Sequence, residues 1–162
     1  MLDIAMIAAA FYLAFLCWLI LSYSNDKKNA YTMSVSAILS IIWIVMILGL
    51  KTSLGSNIYY DRGIFAIGLL SVLSLFSFVT SLASPLSFLG KIFSRSVKYF
   101  FLSIFAITLT TDLIVASVFI KEGMPVPLYG NLIGLYYFAI GLSISGVVYI
   151  ALLEKKSLSQ KA

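Results

Sequence analysis

The sequence predicts an all-α polytopic membrane protein, a bundle of five transmembrane helices. Three observations carry that prediction. The 162-residue chain is 62% apolar and only 10% charged, too few polar residues to cover a soluble domain of this size. Its apolar residues fall in five runs, each about the length needed to cross ~30 Å of hydrocarbon at ~1.5 Å per helical residue. Its eleven cations are sorted unevenly between the gaps. Lys27, Lys28, Lys91, Arg95, Lys98, Lys155, Lys156 and Lys161 fall in the first gap, the third gap and the tail, whereas Lys51, Arg62 and Lys121 fall in the second and fourth. Alternate loops rich in Lys and Arg are those retained in the cytoplasm. The expected topology therefore has the N-terminus outside and the C-terminus cytoplasmic, in the plasma membrane of the cell. The expected spans are 4–22, 31–50, 63–83, 99–120 and 131–153, one domain over 1–153 with a polar tail at 154–162.

The first run has no basic segment before it, since Asp3 is the only preceding charge, and Ala8 to Ala10 precede its most apolar part. That is the reverse of a cleavable signal peptide, so a retained helix is expected. It holds the only cysteine, Cys17, and the chain has no histidine. An intrachain disulfide is excluded, as are His-ligated metal and haem sites and the commonest general base. No cofactor is expected in this chain, and the net charge of +5 reads as topology setting plus attraction to anionic lipids, not nucleic-acid binding. Tyr23, Tyr31 and Tyr99 at one boundary, and Tyr59, Tyr60 and Tyr129 at the other, suit the headgroup level.

The third run carries Ser71, Ser74, Ser77, Ser81, Ser84 and Ser87 at helical spacing on one face. Small hydroxyl residues let a second helix approach and bond across the contact, so a packing seam is the leading reading and a water-lined seam the alternative. Gly63 and Gly68 open that span, where glycine permits close packing or a bulge in the hydrogen-bond ladder. Pro85 should end or kink the helix, leaving Leu86–Lys98 as a short interfacial helix with Lys91, Arg95 and Lys98 on its polar side.

In the fourth run Asp112 falls about 13 Å along the helix from Lys121. A carboxylate at that depth should face protein or water and is a functional candidate by default, for proton handling or as a polar lock. Thr108 and Thr111 are its candidate hydroxyl partners. The gap Lys121–Gly130 contains Pro125 and Pro127 and reads as a break. The fifth run opens on Gly130 and Gly134, with Gly141 and Gly146 continuing a small-residue surface. Asp3, Asp26, Asp61, Glu122 and Glu154 sit at span ends and read as solvated charges. No nucleophile–base pair, phosphate loop or metal-ligand spacing is present in the sequence.

Three stretches carry a family resemblance. Asn29-Ala-Tyr-Thr-Met-Ser-Val-Ser-Ala-Ile-Leu-Ser opens the second span, Ile64-Phe-Ala-Ile-Gly-Leu-Leu-Ser-Val-Leu-Ser-Leu-Phe lies in the third, and Pro127-Leu-Tyr-Gly leads into a fifth ending Val147-Val-Tyr-Ile-Ala-Leu-Leu-Glu-Lys-Lys. With five spans and a basic C-terminus, the chain resembles subunit J of the membrane arm of NADH-quinone oxidoreductase, respiratory complex I. In that family a glycine precedes a Val-Leu-x-x-Phe run, approximated here by Gly68, Val72, Leu73 and Phe76. The family's tyrosine before this glycine is replaced by Ala66 and Ile67, and the nearest match to its acid near the start of the span is Asp61. The resemblance implies a non-catalytic subunit in the electron-transport chain, linking a quinone module to antiporter-like, proton-translocating subunits. Redox centres would belong to partner subunits. It also implies a π-type bulge at Gly68 gating a hydrated path lined by the serine face. The competing expectations are an accessory membrane subunit of another respiratory complex, such as a terminal oxidase, and a small stand-alone transporter.

Overall fold

The computed structural model describes residues 2–24, 26–50, 57–82, 88–121 and 124–159. In chain order these form α1 (Leu2–Tyr23), α2 (Lys27–Gly49), α3 (Ile58–Leu82), α4 (Phe88–Thr110), β1 (Val115–Lys121), β2 (Met124–Tyr129) and α5 (Ile133–Ser159). Four helices carry stretches long and apolar enough to cross a bilayer, at Asp3–Tyr23, Asn29–Gly49, Ile58–Ser81 and Lys91–Thr110, and α5 adds a shorter one, Ile133–Tyr149. The expected helical membrane bundle is therefore present, with one element that was not expected, a β-hairpin.

Local sequence accounts for the helix ends. Asp26 caps α2, accepting from the Asn29 backbone N–H at 3.2 Å and from Asn29 Nδ2 at 2.6 Å, which satisfies a donor that the helix leaves free. Asn57 caps α3, its Oδ1 accepting from Tyr59 N at 2.9 Å. That cap starts α3 about five residues before the expected boundary and brings Tyr59, Tyr60, Asp61 and Arg62 into the helix. Pro85, Ser84 and Ser87 lie outside the described residues.

The expected fourth span is corrected at both ends. Phe88–Lys98 is no separate interfacial helix but the opening of α4, and α4 stops at Thr110 instead of continuing to Ile120. Residues 115–121 turn into a strand that pairs antiparallel with 124–129. The residues concerned explain the switch. Thr108, Thr110, Thr111, Ile114, Val115, Val118 and Ile120 are β-branched, a composition that favours a pleated strand over a helix. Pro125 stands opposite Ile120 and Pro127 opposite Val118. Two residues apart, both prolines lie on one edge of β2. A proline fits a ladder only where its missing N–H is not needed, so that edge points away from β1 and cannot recruit a further strand.

The hub is α3, which packs against α2, α4, α5 and β1, while α1 packs on α2. The core joins Leu69 and Phe76 of α3 to Val97, Phe101 and Ile104 of α4, with Ile114, Val115, Tyr136 and Ala139 completing it. In lipid the apolar driving force between helices is absent, so close fit and interhelical hydrogen bonds must hold the bundle. Gly146 shows the fit: a Cβ there would stand 2.9 Å from Phe76 Cε2. Tyr60 bonds to Met46 and Ser81 to Asn29, so α2 and α3 run antiparallel, and Arg62 at the start of α3 meets Asp112 after the end of α4, so those two do as well. The α1–α2 turn, the end of α3, the start of α4 and the end of α5 therefore share one end of the bundle, here the basic end. The hairpin marks the other.

Candidate functional site

The hairpin end holds the buried charges. Arg62, on the second turn of α3, is 7% exposed and its Nη2 donates to Asp112 Oδ1, while its Nε donates to the Val115 carbonyl at 3.2 Å. Its guanidinium also lies 5.9 Å from the centroid of the Tyr59 ring, within range of a cation–π attraction. One side chain thus ties α3 to both the turn after α4 and the first residue of the hairpin.

That turn is closed by one hydroxyl and by backbone hydrogen bonds. Thr111 Oγ1 donates to the Ile107 carbonyl at 2.7 Å and accepts from Leu113 N at 3.3 Å, closing the end of α4. Gly130 N donates to the Ile114 carbonyl at 2.9 Å and Leu132 N to the Leu113 carbonyl at 2.8 Å. A Cβ at Gly130 would collide with the Asp112 carbonyl oxygen and with the carbonyl group of Leu113. Only glycine lets the end of β2 close on this turn.

The sequence expectation for Asp112 is therefore corrected. It lies beyond the helix, not within a membrane-crossing one, its carboxylate is 77% exposed, and a cation faces it. The two threonines do not serve it: Thr108, fully buried, donates to the Ile104 carbonyl at 2.7 Å, and Thr111 caps the helix as described. Hydroxyls in a helix satisfy the carbonyl one turn back when nothing better is in reach.

The sequence predicts Arg62 in a gap between spans and Asp61 as a solvated charge at a span end. Both are buried in α3. Asp61 is 2% exposed, and its Oδ2 has no hydrogen-bond partner among the described residues. An ionised carboxylate oxygen is expensive to bury without a partner. The signal that could have found both residues is Asn57, a strong N-cap type whose position moves the helix start ahead of them.

Gly68 lies in an α-helix that runs unbroken from Ile58 to Leu82, with no register slip. Its lack of a side chain serves packing. Trp43 Nε1 of α2 and the Tyr136 hydroxyl of α5 reach to 3.1 and 3.2 Å from where its Cβ would stand, and Tyr136 donates to the Phe65 carbonyl at 3.2 Å.

The serine face meets α2. Ser71 Oγ lies 2.6 Å from Ser40 Oγ, which itself donates to the Ser36 carbonyl at 2.9 Å. Ser81 donates to Asn29 Oδ1 at 2.8 Å near the basic end. Ser74 donates back to the Ser71 carbonyl at 2.8 Å, and the Ser77 carbonyl accepts from Thr80 Oγ1 at 2.9 Å. Two of the four serines thus bond across the α2–α3 interface and two remain half-buried within α3.

Fold and site define a multi-pass helical membrane protein whose central helix carries both the buried charges and the hydroxyl seam. Comparison with protein-family models, with curated proteins and with solved structures returned no match.

Proposed function

We propose that the chain is a non-catalytic integral subunit of a proton-pumping, quinone-linked respiratory complex, placed as subunit J is placed in complex I. It would lie in the plasma membrane, N-terminus outside, linking a quinone module to antiporter-like subunits. The observation that carries this reading is the content of α3. The two charged residues buried among the described ones, Asp61 and Arg62, share that helix with the serine face. An ionisable carboxyl group at one end and, from Ser71 about 15 Å further along, hydroxyls at each turn are parts a hydrated proton route could draw from one helix. Serine has no useful ionisation near neutrality, so it would relay only through water.

A second reading is favoured by the unbroken course of α3 across Gly68. A helix without a switchable bulge suits an accessory subunit that shields the core of another respiratory assembly, such as a terminal oxidase. Purification of the tagged chain in mild detergent separates the readings. Co-purifying iron–sulfur proteins with quinone reductase activity support the first, and co-purifying haem supports the second. A chain that comes away alone and moves a solute after reconstitution removes both.

A further inference from the structure

One exposed face of α4 carries a row of cations. Lys91, Arg95 and Lys98 recur at helical spacing, and at about 100° per residue they fall within about 60° of one another around the axis. Lys91 and Arg95 are exposed and Lys98 half-buried, while Ser94, Val97 and Phe101 turn into the bundle. None of the three cations makes an ion pair among the described residues, and α4 contains no acidic residue. The same stripe continues as Leu102 and Leu109, both exposed. From Lys91 to Lys98 is about 10 Å along the axis, and from Leu102 to Leu109 about 10 Å more. This length lies inside Lys91–Thr110, the stretch of α4 that is long and apolar enough to span a bilayer.

We propose that this face binds an anionic phospholipid, its phosphate held by Lys91, Arg95 and Lys98 and its acyl chain lying along Leu102 and Leu109. Charge complementarity fixes the head, since three cations with no ion pair among the described residues, at the margin of the hydrocarbon, are costly without an anion. The apolar continuation fixes the tail. An acidic protein segment would neutralise the cations but would not call for the leucines in line with them. Long basic side chains reach the headgroup level from within the membrane, so the three converge on one phosphate layer from successive turns.

The test reconstitutes the full chain in phosphatidylcholine vesicles doped with spin-labelled phosphatidylglycerol or spin-labelled phosphatidylcholine. The readout is the motionally restricted lipid fraction. The wild-type chain should prefer phosphatidylglycerol and keep part of that preference at high salt, because contacts at the membrane margin are screened less than exposed ones. Arg95→Gln should lower the preference by up to about fivefold, the effect of one cation near an anionic surface. Lys27→Gln, at the same end of the bundle and exposed, should leave it unchanged. A variant that inserts poorly leaves a second arm on the unaltered chain. There, phosphatidylglycerol with a photoreactive headgroup should cross-link to the start of α4. No preference in the wild-type chain overturns the proposal. So does an equal loss in Lys27→Gln, or cross-links spread evenly over the basic end, since each means a diffuse field and no site.

Discussion

Replacing Asp112 by asparagine tests the account of the hairpin end most directly. The substitution keeps shape and removes one charge. The magnitude follows from the unequal burial of the pair, with Arg62 7% and Asp112 77% exposed. An ion pair exposed on both sides is worth about 0–1 kcal/mol. Stranding one partner of a fully buried pair costs about 3–5 kcal/mol. This pair lies between, because water screens the carboxylate but not the guanidinium, and Arg62 keeps its bond to Val115 O. The expected loss for Asp112→Asn is about 1–3 kcal/mol, between those two limits. Arg62→Met removes the buried charge instead and leaves a carboxylate that water can solvate. It should cost about 1 kcal/mol, mainly through the lost hydrogen bond to the hairpin. In the double variant the buried guanidinium is gone and position 112 has nothing left to pair with, so the losses should not add. A cycle measured by SDS-induced unfolding in micelles should give a coupling of about 1–2 kcal/mol, as for groups in direct contact. A coupling below about 0.3 kcal/mol, the additivity expected of independent sites, would refute the reasoning.

Other outcomes follow from the same structure. Gly130→Ala should destabilise the protein by about 1–3 kcal/mol, the usual cost of forcing atoms into filled space, because its Cβ meets backbone at Asp112 and Leu113. Gly134→Ala meets nothing within 4 Å and should be neutral or stabilising by up to about 1 kcal/mol; thermal unfolding of the two side by side checks both. Ser71→Ala removes the 2.6 Å contact to Ser40 and should cost about 0.6 kcal/mol, the average for an interhelical bond in lipid, whereas Ser77→Ala should not register. In intact cells a membrane-impermeant thiol reagent should fail to label Lys27→Cys in a Cys17→Ser background; labelling would reverse the proposed orientation. On the proposed reading as a subunit of a proton-pumping complex, Asp61→Asn should lower proton translocation while leaving assembly intact, and unchanged pumping would remove Asp61 from any proton route.

Residue order alone determined that lipid surrounds this chain. Apolar runs of spanning length and the sorting of cations between gaps are additive properties, and no contact is needed to read them. The serine face was equally legible, because helical periodicity fixes which residues share a side, and Ser71 and Ser81 do reach α2. Hydropathy could not show where α4 ends. Leu113 to Ile120 is mostly apolar whether it is coiled or extended, and an apolar run alone does not separate helix from strand. Its β-branched residues and the alternate prolines of β2 were the available signals. Asp112 and Arg62 stand 50 positions apart, and nothing local to either names the other. Only the packing of β1 on α3 brings them together, and it changes Asp112 from a lone acid within lipid into the exposed half of an ion pair. Burial decided Asp61 in the same way, since a charge at the start of a span is solvated or enclosed according to what the rest of the chain lays over it.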